Sequence, residues 1–233
     1  MNAIAQTGSV IPADAKRPVT TGSVRWWLVA AGWLGGLALA SAYAIWIRST
    51  GDWNAGLQWE RDLLARFPRR LPSLVDFGML VLPWLGTNFT LMPASLLGAA
   101  WLNWSRRRRD LALHLATVQI GTLLLHQTVK ALFDRPRPEL WERRGQFAQA
   151  SYPSGHMVTI IGTMFTVAVM LHRERGWRWP YAVATFLLVL SAYSRLYLGV
   201  HWPADIVGGV LAGVAWFAGT MLAFRDRTGG AES

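Results

Sequence analysis

The chain has 233 residues, 52% of them hydrophobic and 15% charged, which is too apolar for an ordinary soluble enzyme, where charged residues reach about 25%. Its formal net charge is +10, carried almost wholly by arginine in short clusters between apolar runs, a pattern that suits membrane topology and anionic headgroups rather than nucleic acid. Cysteine is absent, which excludes disulfides and thiol chemistry, and the length suits one domain.

Residues 1–24 are polar and aperiodic and read as a loose tail. Residues 26–47 form a continuous apolar run, long enough to cross about 30 Å of hydrocarbon. Ala40-Ser41-Ala42 resembles a leader-cleavage site, but the long polar segment before the run favours an uncleaved first helix. Residues 48–70 mix both charges with Trp53 and Trp59 and suit an interfacial loop or short helix. Residues 71–86 are apolar but broken by Pro72, Asp76 and Pro83, as expected of a re-entrant or interfacial segment leading into a second span over 87–104. The block Arg106 to Arg109 stops that span. A third follows over 111–132, a polar loop over 133–151, a fourth span over 153–171, a basic turn over 172–179 and a fifth span over 180–198. The sixth, over 203–224, opens on Pro203, a favoured first-turn residue.

The expected fold is all-α: a polytopic six-helix membrane bundle, with a tail over 1–24, the membrane domain over 25–226 and a tail over 227–233. Six spans put both termini on one side. Lys16, Arg17 and Arg25, the Arg106–Arg109 block, Arg173, Arg175 and Arg178, and Arg225 with Arg227 mark that side as cytoplasmic. Arg48, Arg61, Arg66, Arg69, Arg70, Arg135, Arg143 and Arg144 fall opposite, so the bias is clearest in the two short loops.

With this layout the unusual polar residues gather at one membrane face. Lys130 closes the third span and Arg137 follows it. Ser154, Gly155 and His156 open the fourth, Ser194 and Arg195 close the fifth, and His201 and Asp205 open the sixth. This is an anion site by chemistry. A helix opening offers unpaired N–H groups and a positive dipole end, Gly155 lets the backbone come close, and Lys130, Arg137 and Arg195 can neutralise phosphate oxygens. Asp205 can take the proton of one His201 ring nitrogen and leave the other free to attack phosphorus, while His156 can protonate the leaving oxygen. Two histidines and one carboxylate among three cations make a poor zinc site, so neither a metal nor another cofactor is expected.

These residues resemble the type 2 phosphatidic acid phosphatase superfamily, which includes bacterial acid phosphatases and vanadium haloperoxidases, and in particular its integral-membrane lipid phosphatase branch. Lys130 through Arg137-Pro138 matches its Lys, six residues, Arg-Pro motif. Pro153 to His156 matches Pro-Ser-Gly-His. Ser194-Arg195, His201 and Asp205 match its third motif, with every spacing kept. The resemblance implies that His201 is the nucleophile and forms a phosphohistidine, that Asp205 orients it, and that His156 is the general acid. It implies that Lys130, Arg137, Ser154, Gly155 and Arg195 hold phosphate, and that the site faces away from the cytoplasm. The implied substrate is a lipid phosphate or diphosphate: undecaprenyl diphosphate, phosphatidylglycerol phosphate, phosphatidic acid or a lipid A phosphate. The expected location is a bacterial inner membrane, among membrane lipids, with no nucleic acid and no obligate protein partner readable.

A lipid phosphotransferase using the same phosphohistidine, or a non-catalytic lipid-phosphate binder, are the alternatives. Taken singly, each residue has a plainer role: Lys130 and Arg195 as snorkelling cations, and His201 with Asp205 as a helix cap. The joint spacing favours the site. Plainer roles are expected to hold for His126 as core, His114 and His172 as interfacial groups, Asn88, Gln119 and Gln127 as interhelical hydrogen-bonding groups, the tryptophans as interface anchors, and Gly208, Gly209 and Gly213 as close-packing positions. Arg135 lies two residues short of the motif spacing.

Overall fold

The structure, a computed structural model, describes residues 23–68, 70–141 and 150–225. The 227–233 tail, nearly all of the 1–24 tail, and Lys16, Arg17, Arg69, Arg143, Arg144 and Arg227 lie outside the described residues. The described residues are helical and contain no β-strand. In order the helices are α1 (Trp26–Ser49), α2 (Gln58–Ala65), α3 (Ser73–Val81) running into a 3₁₀ turn (Leu82–Gly86), α4 (Asn88–Trp104), α5 (Arg109–Phe133), α6 (Gly155–Thr159), α7 (Phe165–Arg175), α8 (Trp179–Tyr197) and α9 (Pro203–Ala223). A π turn over Ile160–Met164 joins α6 to α7, so Gly155–Arg175 is one continuous rod.

Local chemistry sets the ends. Pro203 occupies the first turn of α9, where its missing N–H costs nothing, and the Asp205 side chain reaches back to the Trp202 N–H. α7 stops at Gly176, whose φ of 70° is the left-handed C-cap conformation that glycine adopts cheaply.

α9 is the central staff of the bundle and packs against α1, α5 and α6. Small residues let the backbones touch: a methyl group on Gly32 of α1 would lie 2.7 Å from Gly219 Cα of α9. Around this contact Ala40, Ala44, Leu125, Val129, Val158, Ala212 and Trp216 form the core. The outer surface is strongly apolar, with Trp27, Ile45, Phe89, Leu97, Phe186 and Val189 exposed. Such a surface is a liability in water and a requirement in lipid.

Among the described residues, three helices are long and apolar enough to cross a membrane: Trp26–Ser49, Gly155–Arg175 and Pro203–Ala223. A fourth crossing results if Ser73–Gly86 and Asn88–Trp104, which meet at a 41° bend, form one broken span. That bend sits at Thr87, directly after the 3₁₀ turn that holds Pro83. The expected six spans therefore do not all stand on composition. α5 falls short because one of its faces is polar, carrying His114, Gln119, Thr122, His126 and Lys130, all buried.

That polar face makes a network inside the bundle. Gln119 Nε2 donates to Asn88 Oδ1 at 3.0 Å, Thr159 Oγ1 donates to the same oxygen at 3.0 Å, and Thr163 Oγ1 donates to Gln119 Oε1 at 2.8 Å. Asn88 and Gln119 thus bridge helices as expected, whereas Gln127 is exposed on the outer side of α5. Two expectations need correcting. His114 is not interfacial but buried, its ring stacked on Phe224 at 4.2 Å. Trp53, Trp202 and Trp216 are core residues rather than interface anchors, because their rings fill the space between loops and helices near the bundle axis.

Candidate active site

Three loops meet above the core, and they are stitched together. Ser151 N donates to Arg135 O at 2.7 Å, Ser151 Oγ donates to Pro136 O at 3.1 Å, and Trp202 Nε1 donates to Pro136 O at 2.9 Å. Tyr152 hangs below them, its hydroxyl donating to Ala40 O of α1 at 2.6 Å. Ser154 N donates to Asp205 O at 2.9 Å, which fixes the opening of α6 against the opening of α9. Gly208 and Gly209 permit that contact. A methyl on Gly209 would lie 2.6 Å from Ser154 O, and one on Gly208 would meet the Tyr152 ring.

All eight predicted site residues lie around this junction. His201 Nδ1 lies 3.2 Å from Asp205 Oδ2, which also accepts the Trp202 N–H at 2.8 Å. On the far side of the ring, His201 Nε2 lies 3.4 Å from Arg137 Nη1. These partners decide the tautomer. A carboxylate can only accept and a guanidinium can only donate, so Nδ1 carries the hydrogen and Nε2 the lone pair. His201 is buried, and this desolvation, followed by the charges of Arg137, Lys130 and Arg195, holds its pKa well below the usual imidazole range. The ring is neutral at pH 7.

The cations are held from the protein side. Lys130 Nζ donates to Ala150 O, and Arg137 Nη1 donates to Val200 O at 2.6 Å. Arg195 Nη2 donates to Ser194 Oγ at 3.1 Å, and Ser194 Oγ donates to Met79 O at 2.6 Å. Eight buried side-chain polar atoms have no hydrogen-bond partner among the described residues, and three of them belong to predicted site residues: Ser154 Oγ, His156 Nε2 and Arg195 Nε. Buried polar atoms are ordinarily satisfied; the other five belong to Trp53, His114, His126 and Ser191, while these three share the junction with the cations. Together with the three cations they are suited to an anion with several oxygens. No cluster of three metal-ligating side chains occurs among the described residues.

Residues 111–229 match the PAP2 superfamily, a region that holds all three motifs. The chain belongs to the PAP2 superfamily. It is 31% identical over 157 residues to the putative undecaprenyl-diphosphatase YbjG of Escherichia coli, an alignment covering 66% of this chain and 75% of that protein. It is 26% identical over 125 residues to the undecaprenyl-diphosphatase BcrC of Bacillus subtilis, covering 52% of this chain and 62% of that one. In fold it is similar to the transmembrane PAP2-type phosphatidylglycerolphosphate phosphatase of Bacillus subtilis, with a TM-score of 0.68 at 23% identity, over 79% of this chain and 92% of the other. Its apolar helices and this superfamily membership make it an integral-membrane protein.

Among the described residues, three that no motif position specifies adjoin the site. Arg135 and Glu60 form a wholly buried ion pair behind Asp205. His126, expected as core filling, is both core and site wall: its Nε2 lies 2.5 Å from Asn88 Nδ2, and a methyl on Gly155 would lie 3.5 Å from its ring. His126 was visible in the sequence as one turn before Lys130. Arg135 carried a weak signal as a second arginine beside the motif, and Glu60 carried none, because its segment has no fixed spacing to the three motifs.

Proposed function

We propose that this chain is a membrane phosphatase that hydrolyses a lipid phosphate or diphosphate through a phosphohistidine on His201. The observation that carries the reading is the His201 ring, held by Asp205 with its Nε2 lone pair facing a cluster of cations and unsatisfied buried donors. In the first step Nε2 attacks phosphorus, the bond to the leaving oxygen breaks, and His156 gives that oxygen a proton. Charge on the equatorial oxygens is met by Lys130, Arg137, Arg195, Ser154 and the Gly155 backbone. Water then gives a proton back to His156 and attacks phosphorus, the phosphorus–nitrogen bond breaks, and phosphate and the free imidazole of His201 are released. Asp205 stabilises the imidazolium character that develops in both steps. The chemistry is supplied by side chains without a metal.

The undecaprenyl-diphosphatase relatives favour a prenyl diphosphate as substrate. A site at helix ends lets the prenyl or acyl chain remain in the bilayer while its phosphate enters the cradle. The reading includes a membrane domain over 25–226 with six crossings, α5 and α8 completing those that composition marks. α5 can be polar within because a bundle neighbour, not lipid, meets that face. Both termini then lie in the cytoplasm and His201 on the opposite side of the inner membrane.

The test is phosphate release by detergent-purified chain in excess chelator, offered diphosphate and monophosphate lipids. Turnover should persist in chelator and vanish in His201→Ala. Substantial activity in that variant removes the histidine from its role, loss in chelator removes the metal-free mechanism, and label passing to a lipid rather than to free phosphate marks a phosphotransferase. Tight lipid binding without turnover across the panel would leave a binder.

A further inference from the structure

Arg135 follows the end of α5 and is fully buried, as are both acids that it touches. Its Nη1 donates to Asp205 Oδ1 at 3.0 Å and to Glu60 Oε1 at 3.2 Å, its Nη2 to Glu60 Oε2 at 2.6 Å, and its Nε to Trp53 O at 3.0 Å. The guanidinium lies between two rings, 4.4 Å from the centroid of Trp53 and 5.2 Å from that of Trp202. Glu60 also accepts the Ala204 N–H at 3.1 Å, in the first turn of α9, and the Leu57 N–H at 3.0 Å. Asp205 divides its oxygens. Oδ1 meets Arg135, while Oδ2 meets the His201 ring and the Trp202 N–H. A continuous relay thus runs Glu60–Arg135–Asp205–His201; Glu60 lies outside the three motifs and Arg135 at an unspecified position within the first.

We propose that Arg135, backed by Glu60, is a positioning residue of the reaction: it keeps the Asp205 carboxylate charged and turned so that Oδ2 receives the Nδ1 hydrogen of His201. This rests on His201 being the nucleophile. A carboxylate removed from water needs a cation and hydrogen bonds to stay charged. Without the guanidinium, Asp205 takes a proton or rotates, and in both cases the imidazole loses the acceptor that fixes its tautomer. Arginine suits the place because one planar fork meets two carboxylates and a carbonyl at once, which a lysine ammonium cannot. Glu60 keeps the fork from swinging toward the phosphate cradle, where it would meet the three cations of the site.

Loss of the orienting acid in a triad costs up to about 10⁴ in kcat, and loss of the support behind such a ligand-orienting carboxylate about 10–100-fold. The experiment uses the full chain in detergent with farnesyl diphosphate. Arg135→Gln should lower kcat about 10–100-fold with KM changed less than about threefold, and Arg135→Lys should recover part of the loss. Arg135→Gln leaves Glu60 buried and unpaired and can fail to fold, so the double variant Arg135→Gln/Glu60→Gln carries the decision. It exchanges the ion pair for two amides, and its unfolding temperature shows whether the bundle is intact. With the bundle intact, the double variant should keep the kcat loss, because Asp205 still lacks its cation. Recovery of kcat in the double variant would mean that Arg135 only neutralises Glu60, and would overturn the proposal. A raised KM at unchanged kcat, or an Arg135→Lys variant no better than Arg135→Gln, would do the same. Asp205→Asn separates the two levels. If it retains full turnover, the histidine reading of the site fails; if it is inactive while the double variant is fully active, only the positioning role fails.

Discussion

The contact between α6 and α9 sets the distance between the two histidines, and Gly209→Ala tests it without touching a motif residue. The added methyl would lie 2.6 Å from Ser154 O and 2.8 Å from Met157 Cβ. Comfortable non-bonded contact begins near about 3.5 Å, so the carbonyl must retreat by roughly 0.9 Å. That carbonyl belongs to the residue that opens α6, and Gly155 and His156 follow it directly. The same shift strains the Ser154 N to Asp205 O bond of 2.9 Å. A misplacement of about 1 Å costs on the order of 10²-fold in rate. Overpacking costs about 1–3 kcal/mol, partly offset by about 0.5–1 kcal/mol from replacing glycine within a helix. The expected result is therefore a net loss of about 0–2.5 kcal/mol in stability, with the larger effect falling on kcat. Gly213→Ala, one turn further along α9, is the control. Its methyl would lie 3.0 Å from Ile161 Cβ and 3.3 Å from Val158 Cα, tight but without the overlap met at Gly209, so kcat should fall far less than in Gly209→Ala. The assay is phosphate release at saturating lipid diphosphate, read beside the unfolding temperature. A Gly209→Ala chain that is stable and turns over within twofold of the parent would refute the spacing argument.

As the proposed nucleophile, His201 would attack as the free base; burial with the charges of Arg137, Lys130 and Arg195 depresses its pKa, and Asp205 is the carboxylate it meets among the described residues. Turnover should therefore hold as pH falls from 7 and fail only below about 6.5, the ordinary imidazole value. Arg137→Gln removes the largest of those charge effects, so its acid limb should move upward on the same substrate; an acid limb above pH 7 in the parent would contradict this. His156→Ala should slow a lipid monophosphate, whose leaving group is an alkoxide, by about 10²–10⁴-fold, and a diphosphate, whose leaving group is already a phosphate, by clearly less; equal losses would remove the general-acid role. The chain has no cysteine, so single replacements report topology cleanly. Asp52→Cys should react with an impermeant maleimide in intact cells and Glu174→Cys only after permeabilisation, and the reverse pattern would invert the orientation.

The motifs made the site legible because phosphoryl chemistry ties residue type to spacing: His201 and Asp205 must share a helix opening, and Pro203 announces that opening. The helices were equally legible where a long run is apolar on every face, as over Trp26–Ser49 and Pro203–Ala223. What the sequence hid depends on partners distant along the chain. Glu60 looks like one more charge in a mixed interfacial stretch until Arg135, 75 residues away, closes on it. Trp202 and Trp216 look like interface anchors until their N–H groups find Pro136 O and Val118 O inside the bundle. The bend between the Leu82–Gly86 turn and α4 was foreshadowed by Pro72 and Pro83, but the π turn at Ile160–Met164 had no residue to announce it. It sits between Thr159 and Thr163, both bonded into the network of Asn88 and Gln119.

Lys130, Arg137 and Arg195 crowd one small volume and act on one imidazole. Like charges so confined repel, and a tetrahedral oxyanion relieves them whether it arrives as reactant or lingers as product. Inorganic phosphate should thus act as a brake, tightening the bundle against heat while it competes for the cradle. The pace of the cycle would then follow how quickly the compartment that the site faces drains the phosphate that each turnover sheds.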